Sequence, residues 1–74
     1  MRFNVNRHRG KWTAWWTRGF EQTKSIEEVK LINHCMIHFP DRFFVTEKEE
    51  CKLFIYDIQF NTDQELDWFL LQWS

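Results

Sequence analysis

The 74-residue sequence predicts an α+β fold of order ββαββα: a four-stranded, mostly antiparallel sheet packed against two helices. Three observations carry this. Apolar and polar residues alternate in four short runs, they recur at helical spacing in two others, and Gly, Pro or charged clusters separate the runs.

The first pair of strands lies in "RFNVNRHRGKWTAWWTRGF", where Phe3 and Val5, then Trp12, Ala14 and Trp16, alternate with polar residues. "RHRG" between them supplies a turn, with Gly10 available for a positive φ angle. The next stretch, "TKSIEEVKLINHCMIHFP", changes period. Ser25 and Glu28 form a capping box, and Glu27 and Glu28 suit the positive end of the helix dipole. Ile26, Val29, Ile32, Met36 and Phe39 recur at helical spacing, and Pro40 ends the helix. "RFFVT" and "CKLFIYDIQF" return to strand composition, with "EKEE" as the charged turn between them. "NTDQELDWFLLQWS" closes as a helix capped by Thr62 or Asn61, with Asp63 and Glu65 in its first turn and an apolar stripe of Leu66, Phe69, Leu70 and Trp73.

A single compact domain, residues 1–74, is expected. A chain of this length buries only about 60% of the surface it would expose unfolded, so its core must be rich per residue. Eight Phe, five Trp and one Tyr meet that need, and 43% hydrophobic with 28% charged residues is a globular rather than a disordered composition. No run approaches the roughly 18 apolar residues of a membrane span, and "MRFNVNRHRG" is basic without the apolar stretch of a signal peptide. A cytoplasmic location is expected, in the host cell if the chain is viral. Cys35 and Cys51, assigned to a helix and a strand, read as free buried thiols.

The net charge of −1 hides a division. Residues 1–24 carry +5 and residues 25–74 carry −6. Such asymmetry suits either a charged partner surface or mutual neutralisation within one domain.

Strand pairing decides which side chains share a face. With "RHRG" as a four-residue loop, Val5 faces Trp12 and Phe3 faces Ala14. Phe3, Val5, Trp12, Ala14 and Trp16 then share one face, and Trp15 stands on the other beside Asn4, Asn6, Lys11, Thr13 and Thr17. With "EKEE" as the second loop, Thr46 faces Cys51 and Phe43 faces Phe54. Phe43, Val45, Phe54, Tyr56, Ile58 and Phe60 then gather on one face, and Phe44, Leu53 and Ile55 on the other. If both helices cover the first face, Trp15, Phe44, Leu53 and Ile55 form an apolar interaction patch. If the helices cover opposite faces, no patch exists.

Other chemistry is weakly signalled. His34 and His38 share a helix face, but without HExxH or CxxC they read as surface histidines, and no metal or cofactor is expected. Cys35 or Cys51 beside a histidine reads as inert core rather than a nucleophile, and Glu47, Glu49 and Glu50 as solvated turn carboxylates. Two glycines nine residues apart make no phosphate loop, so neither enzymatic activity nor a small-molecule substrate is expected.

The sequence therefore reads as a non-enzymatic protein-binding module anchored on Trp15, Phe44, Leu53 and Ile55. Its occupant would be a larger protein or a second copy of the chain. Compact, aromatic-rich chains without motifs are common among small accessory proteins, phage-encoded inhibitors of host machinery included. The competing reading is RNA or single-stranded DNA binding, with Arg7, Arg9, Lys11 and Arg18 on phosphates and Trp15 stacking a base. A pI near 6.3 and ten acidic residues after position 24 weigh against it.

Overall fold

Two tight turns set the sheet. In the computed structural model, which describes residues 2–73, the chain runs β1 (Asn4–His8), β2 (Lys11–Gly19), α1 (Ile26–His38), β3 (Phe43–Lys48), β4 (Leu53–Phe60) and α2 (Asp63–Trp73). The strands form one antiparallel sheet of order β1-β2-β4-β3, so the predicted ββαββα architecture is the one observed.

The first turn is shorter than the sequence suggested. Only Arg9 and Gly10 lie outside the strands, with φ angles of 32° and 77°. Positive φ at both central residues marks the hairpin turn whose twist matches that of the strands. His8 therefore pairs with Lys11 and Val5 with Ala14, rather than Val5 with Trp12. The second loop is displaced as well. It comprises Glu49–Lys52, closed by the Lys52 N–H donating to the Glu49 carbonyl at 3.3 Å, with Lys52 at φ 53°. Thr46 pairs with Ile55 instead of Cys51, Glu47 joins β3, and Cys51 is an exposed turn residue rather than a buried strand thiol. Both shifts are even in residue number, so each strand keeps its predicted faces.

Both helices pack on the face that carries Ala14, Trp16, Tyr56, Ile58 and Phe60. Leu31, Ile32 and Cys35 from α1 and Leu66 and Phe69 from α2 complete the core. Trp16 lies at its centre, stacked on Tyr56 at 5.0 Å between ring centroids and met edge-on by Phe3 at 5.5 Å. Trp12 is partly buried against this cluster. Aromatic contacts of this kind add about 0.5–1.5 kcal/mol beyond the burial itself.

Half of the predicted α1 capping box is present: the Ser25 hydroxyl accepts from the Glu28 N–H at 3.1 Å, while the Glu28 carboxylate is turned to Arg18. Thr62 caps α2 in the same way, accepting from the Glu65 N–H at 3.2 Å. The buried stripe of α1, however, differs from the predicted one. Glu28, Leu31, Ile32 and Cys35 face inward, whereas Ile26, Val29 and Met36 are exposed together with Ile37. The helix carries two apolar stripes, and the inward one also brings Glu28 to Arg18 of β2.

This assignment has a direct consequence for stability. Leu31→Ala empties a site that is 1% exposed and is expected to cost about 2–5 kcal/mol in urea unfolding. Ile26→Ser, at a site 77% exposed, is expected to change stability by no more than about 0.5 kcal/mol. A reversed order would mean that α1 presents its other stripe to the sheet.

Candidate partner-docking face

With both helices on one side, no element among the described residues lies over the second face of the sheet. Cross-strand pairing arranges this face in rows. Across β3, β4, β2 and β1 run Phe44, Asp57, Trp15 and Asn4; the next row is Thr46, Ile55 and Thr17, and the one beyond it Lys48, Leu53 and Gly19. In the other direction lie Gln59, Thr13 and Asn6. All four predicted partner-binding residues, Trp15, Phe44, Leu53 and Ile55, thus stand on one surface. Phe44 is 46% exposed, and Trp15, Leu53 and Ile55 are half-buried by their neighbours within the sheet.

Sequence reasoning missed the residue at the middle of this surface. Asp57 is the direct partner of both Trp15 and Phe44. Its Oδ1 is buried and has no hydrogen-bond partner among the described residues. Desolvation raises its pKa above the ordinary aspartate value of 3.8. The available signal was an acid inside the apolar run "LFIYDIQF", but its two aromatic neighbours follow from long-range pairings that the run does not encode.

The residues proposed to bind nucleic acid divide between the two faces. Arg7, opposite Trp12, points to the helix side and pairs with Asp63 and Asp67 of α2. Arg18 is also on the helix side, where its Nε donates to Glu28 Oε1 at 3.1 Å. The rest of its guanidinium donates to the Tyr56 hydroxyl at 2.9 Å and the Gln22 carbonyl at 2.7 Å, and lies 4.6 Å from the centre of the Phe54 ring. Arg9 is exposed in the turn, and Lys11 is exposed on the open face with His8, several residues along the strand from Trp15.

Elsewhere, His34 and His38 lie 4.5 Å apart between ring centroids, with Trp73 5.2 Å from His34. Burial, and secondarily the neighbouring His38, lowers the His34 pKa. No group of three or more His, Cys, Asp or Glu with metal-binding geometry occurs among the described residues. Burial pushes the Cys35 thiol up to about 12, which leaves essentially no thiolate near neutral pH. No helix among the described residues is long and apolar enough to cross a membrane. No protein-family model, curated protein or solved structure matches the chain.

Asp57 gives the face a pH signature. A carboxyl whose pKa is raised on folding holds its proton more tightly folded than unfolded. Its destabilising effect is absent below the ordinary value of 3.8, grows as pH rises toward the raised value and is complete above it. Asp57→Asn is therefore expected to melt at or above the wild-type temperature at neutral pH, the difference closing as pH falls toward 3.8. A variant that melts well below wild type at neutral pH would mean that the carboxylate has a stabilising partner. The cysteines offer a second check: a thiol reagent applied to the folded protein is expected to modify Cys51 rapidly and Cys35 only on unfolding. Equal rates would contradict the burial of Cys35.

Proposed function

We propose that the chain is a non-enzymatic protein-binding module that occupies a surface of a larger protein through the open face of its sheet. The supporting observation is the placement of Trp15, Phe44, Leu53 and Ile55 together on the one face that no helix covers. Apolar surface of this kind, with aromatic anchors and a polar surround, is the usual core of a recognition patch. Asn4, Asn6, Thr13 and Lys11 supply the polar rim on one side and Thr46 and Lys48 on the other. A small accessory protein acting in a host-cell cytoplasm by blocking a partner's surface, as phage-encoded inhibitors do, fits this design.

Two occupants are less well supported. A nucleic acid would meet only Arg9, Lys11 and Trp15 of the predicted contact set without competition, because Arg7 and Arg18 are already paired with carboxylates. Its phosphates would also approach the Asp57 carboxylate. A second copy docked about a two-fold axis through the patch would set Asp57 against its own equivalent, a like-charge contact.

The test compares capture from cell lysate by wild type, Trp15→Ala and Leu53→Asp, each with and without nuclease. A stoichiometric polypeptide retained by wild type after nuclease is expected. Trp15→Ala is expected to weaken its binding roughly 30-fold or more, as removal of an anchor does, and Leu53→Asp to abolish it, both without loss of the folded state. Unfolding of both variants would make these residues core. Retention that disappears with nuclease would establish the nucleic-acid reading instead.

A further inference from the structure

We infer that the open face selects an arginine side chain of its partner, the guanidinium settling on the Asp57 carboxylate between Trp15 and Phe44. This rests on the docking reading above and adds the chemistry of the partner.

A partner that covers the patch meets a carboxylate at its centre. Asp57 occupies the middle row, with aromatic side chains directly opposite on both neighbouring strands. Residues opposite one another in an antiparallel pair have Cβ atoms about 4.5–5.5 Å apart, so the side chains of Trp15 and Phe44 start on either side of that of Asp57. A purely apolar partner would seal off an acidic group whose Oδ1 already lacks a donor, and burying an unpaired charge is strongly unfavourable. A partner that brings a cation removes this penalty and gains a charge-assisted hydrogen bond.

The cations of this chain's own open face are badly placed to do so. Lys48 pairs with Leu53, four residues along β4 from Asp57, and Lys11 lies four residues along β2 from Trp15. Each is therefore about 13 Å from the centre of the row. A two-fold copy centred on the patch presents another Asp57 rather than a base. Charge complementarity therefore favours a base brought by a different protein.

Guanidinium fits better than ammonium for two reasons. Its planar N–H donors reach a carboxylate oxygen edge-on, and at the same time its flat, weakly hydrated plane stacks on aromatic faces. The opposite side of this sheet already uses the same arrangement: Arg18 pairs with Glu28 while lying over the Phe54 ring. On the open face the carboxylate and the rings are present, and the arginine belongs to the partner.

A random twelve-residue peptide display library, selected in parallel on wild type, Asp57→Asn and Trp15→Ala, tests this. Wild type is expected to enrich peptides with an arginine flanked by apolar residues, and Trp15→Ala to lose them. Asp57→Asn is expected to keep the apolar preference and lose the arginine. In the leading synthetic peptide, replacing that arginine by citrulline, its neutral isostere, is expected to weaken binding roughly 30-fold or more. Apolar peptides without arginine that bind Asp57→Asn as well as wild type would overturn the inference and leave docking standing. So would equal enrichment of lysine. If no selected peptide depends on Trp15, the docking reading fails and the inference fails with it.

Discussion

Three arginines on one side of the sheet reach carboxylates of both helices, and with the apolar core on that same side the second face is left open. Arg18 at the end of β2 fastens the start of α1 through Glu28 and the preceding connector through the Gln22 carbonyl. Arg7 of β1 meets Asp63 and Asp67 of α2, and Arg42, just before β3, meets Glu65 at 2.9 Å. These ties are unequal. The Arg7 pairs are exposed, and exposed pairs contribute little individually. Arg18 and Glu28 are only 11% and 8% exposed, and losing one partner of such a pair strands the other, at a cost of about 3–5 kcal/mol. The division of charge along the sequence is thus absorbed in part within the fold: Arg7 and Arg18 of the first hairpin meet Asp63, Asp67 and Glu28 of the helices.

Such ties position the helices, but apolar burial stabilises them. Trp16, Tyr56, Phe60 and Phe69 fill the space between sheet and helices in a chain too short to rely on aliphatic side chains alone. Because these residues occupy alternate positions, the intervening ones are directed to the other side. In β4, Tyr56, Ile58 and Phe60 are buried while Ile55 and Asp57 face outward. Ordinary solvated sheets carry polar residues at such positions; this one carries Trp15, Phe44, Leu53 and Ile55. Docking would explain this apolar surface.

The element order and the faces of every strand were legible in the sequence, because a strand's period of two survives an even error in register. Local pattern mispairs both hairpins by even numbers of residues, so it places Trp15 and Phe44 on the correct side with the wrong neighbours. The inward stripe of α1 was not legible. Ile26, Val29 and Met36 suit helical spacing as well as Leu31, Ile32 and Cys35 do, and the inward stripe includes Glu28, whose partner Arg18 lies in another element. Asp57 illustrates the same limit. As an acid within an apolar strand it was visible, but its position between two aromatics depends on β2 and β3 flanking β4, a long-range feature that no local pattern specifies.

The central claim is that one face of the sheet is uncovered. Paramagnetic relaxation of side-chain protons by a neutral, soluble gadolinium chelate measures this most directly in the free protein. The account predicts strong relaxation of the Trp15 and Phe44 ring protons and of the Ile55 and Leu53 methyl groups, with Trp16, Tyr56 and Ile58 protected. Protection of Trp15 and Phe44 equal to that of Trp16 would contradict it, because some layer of protein would then cover the face on which the account depends.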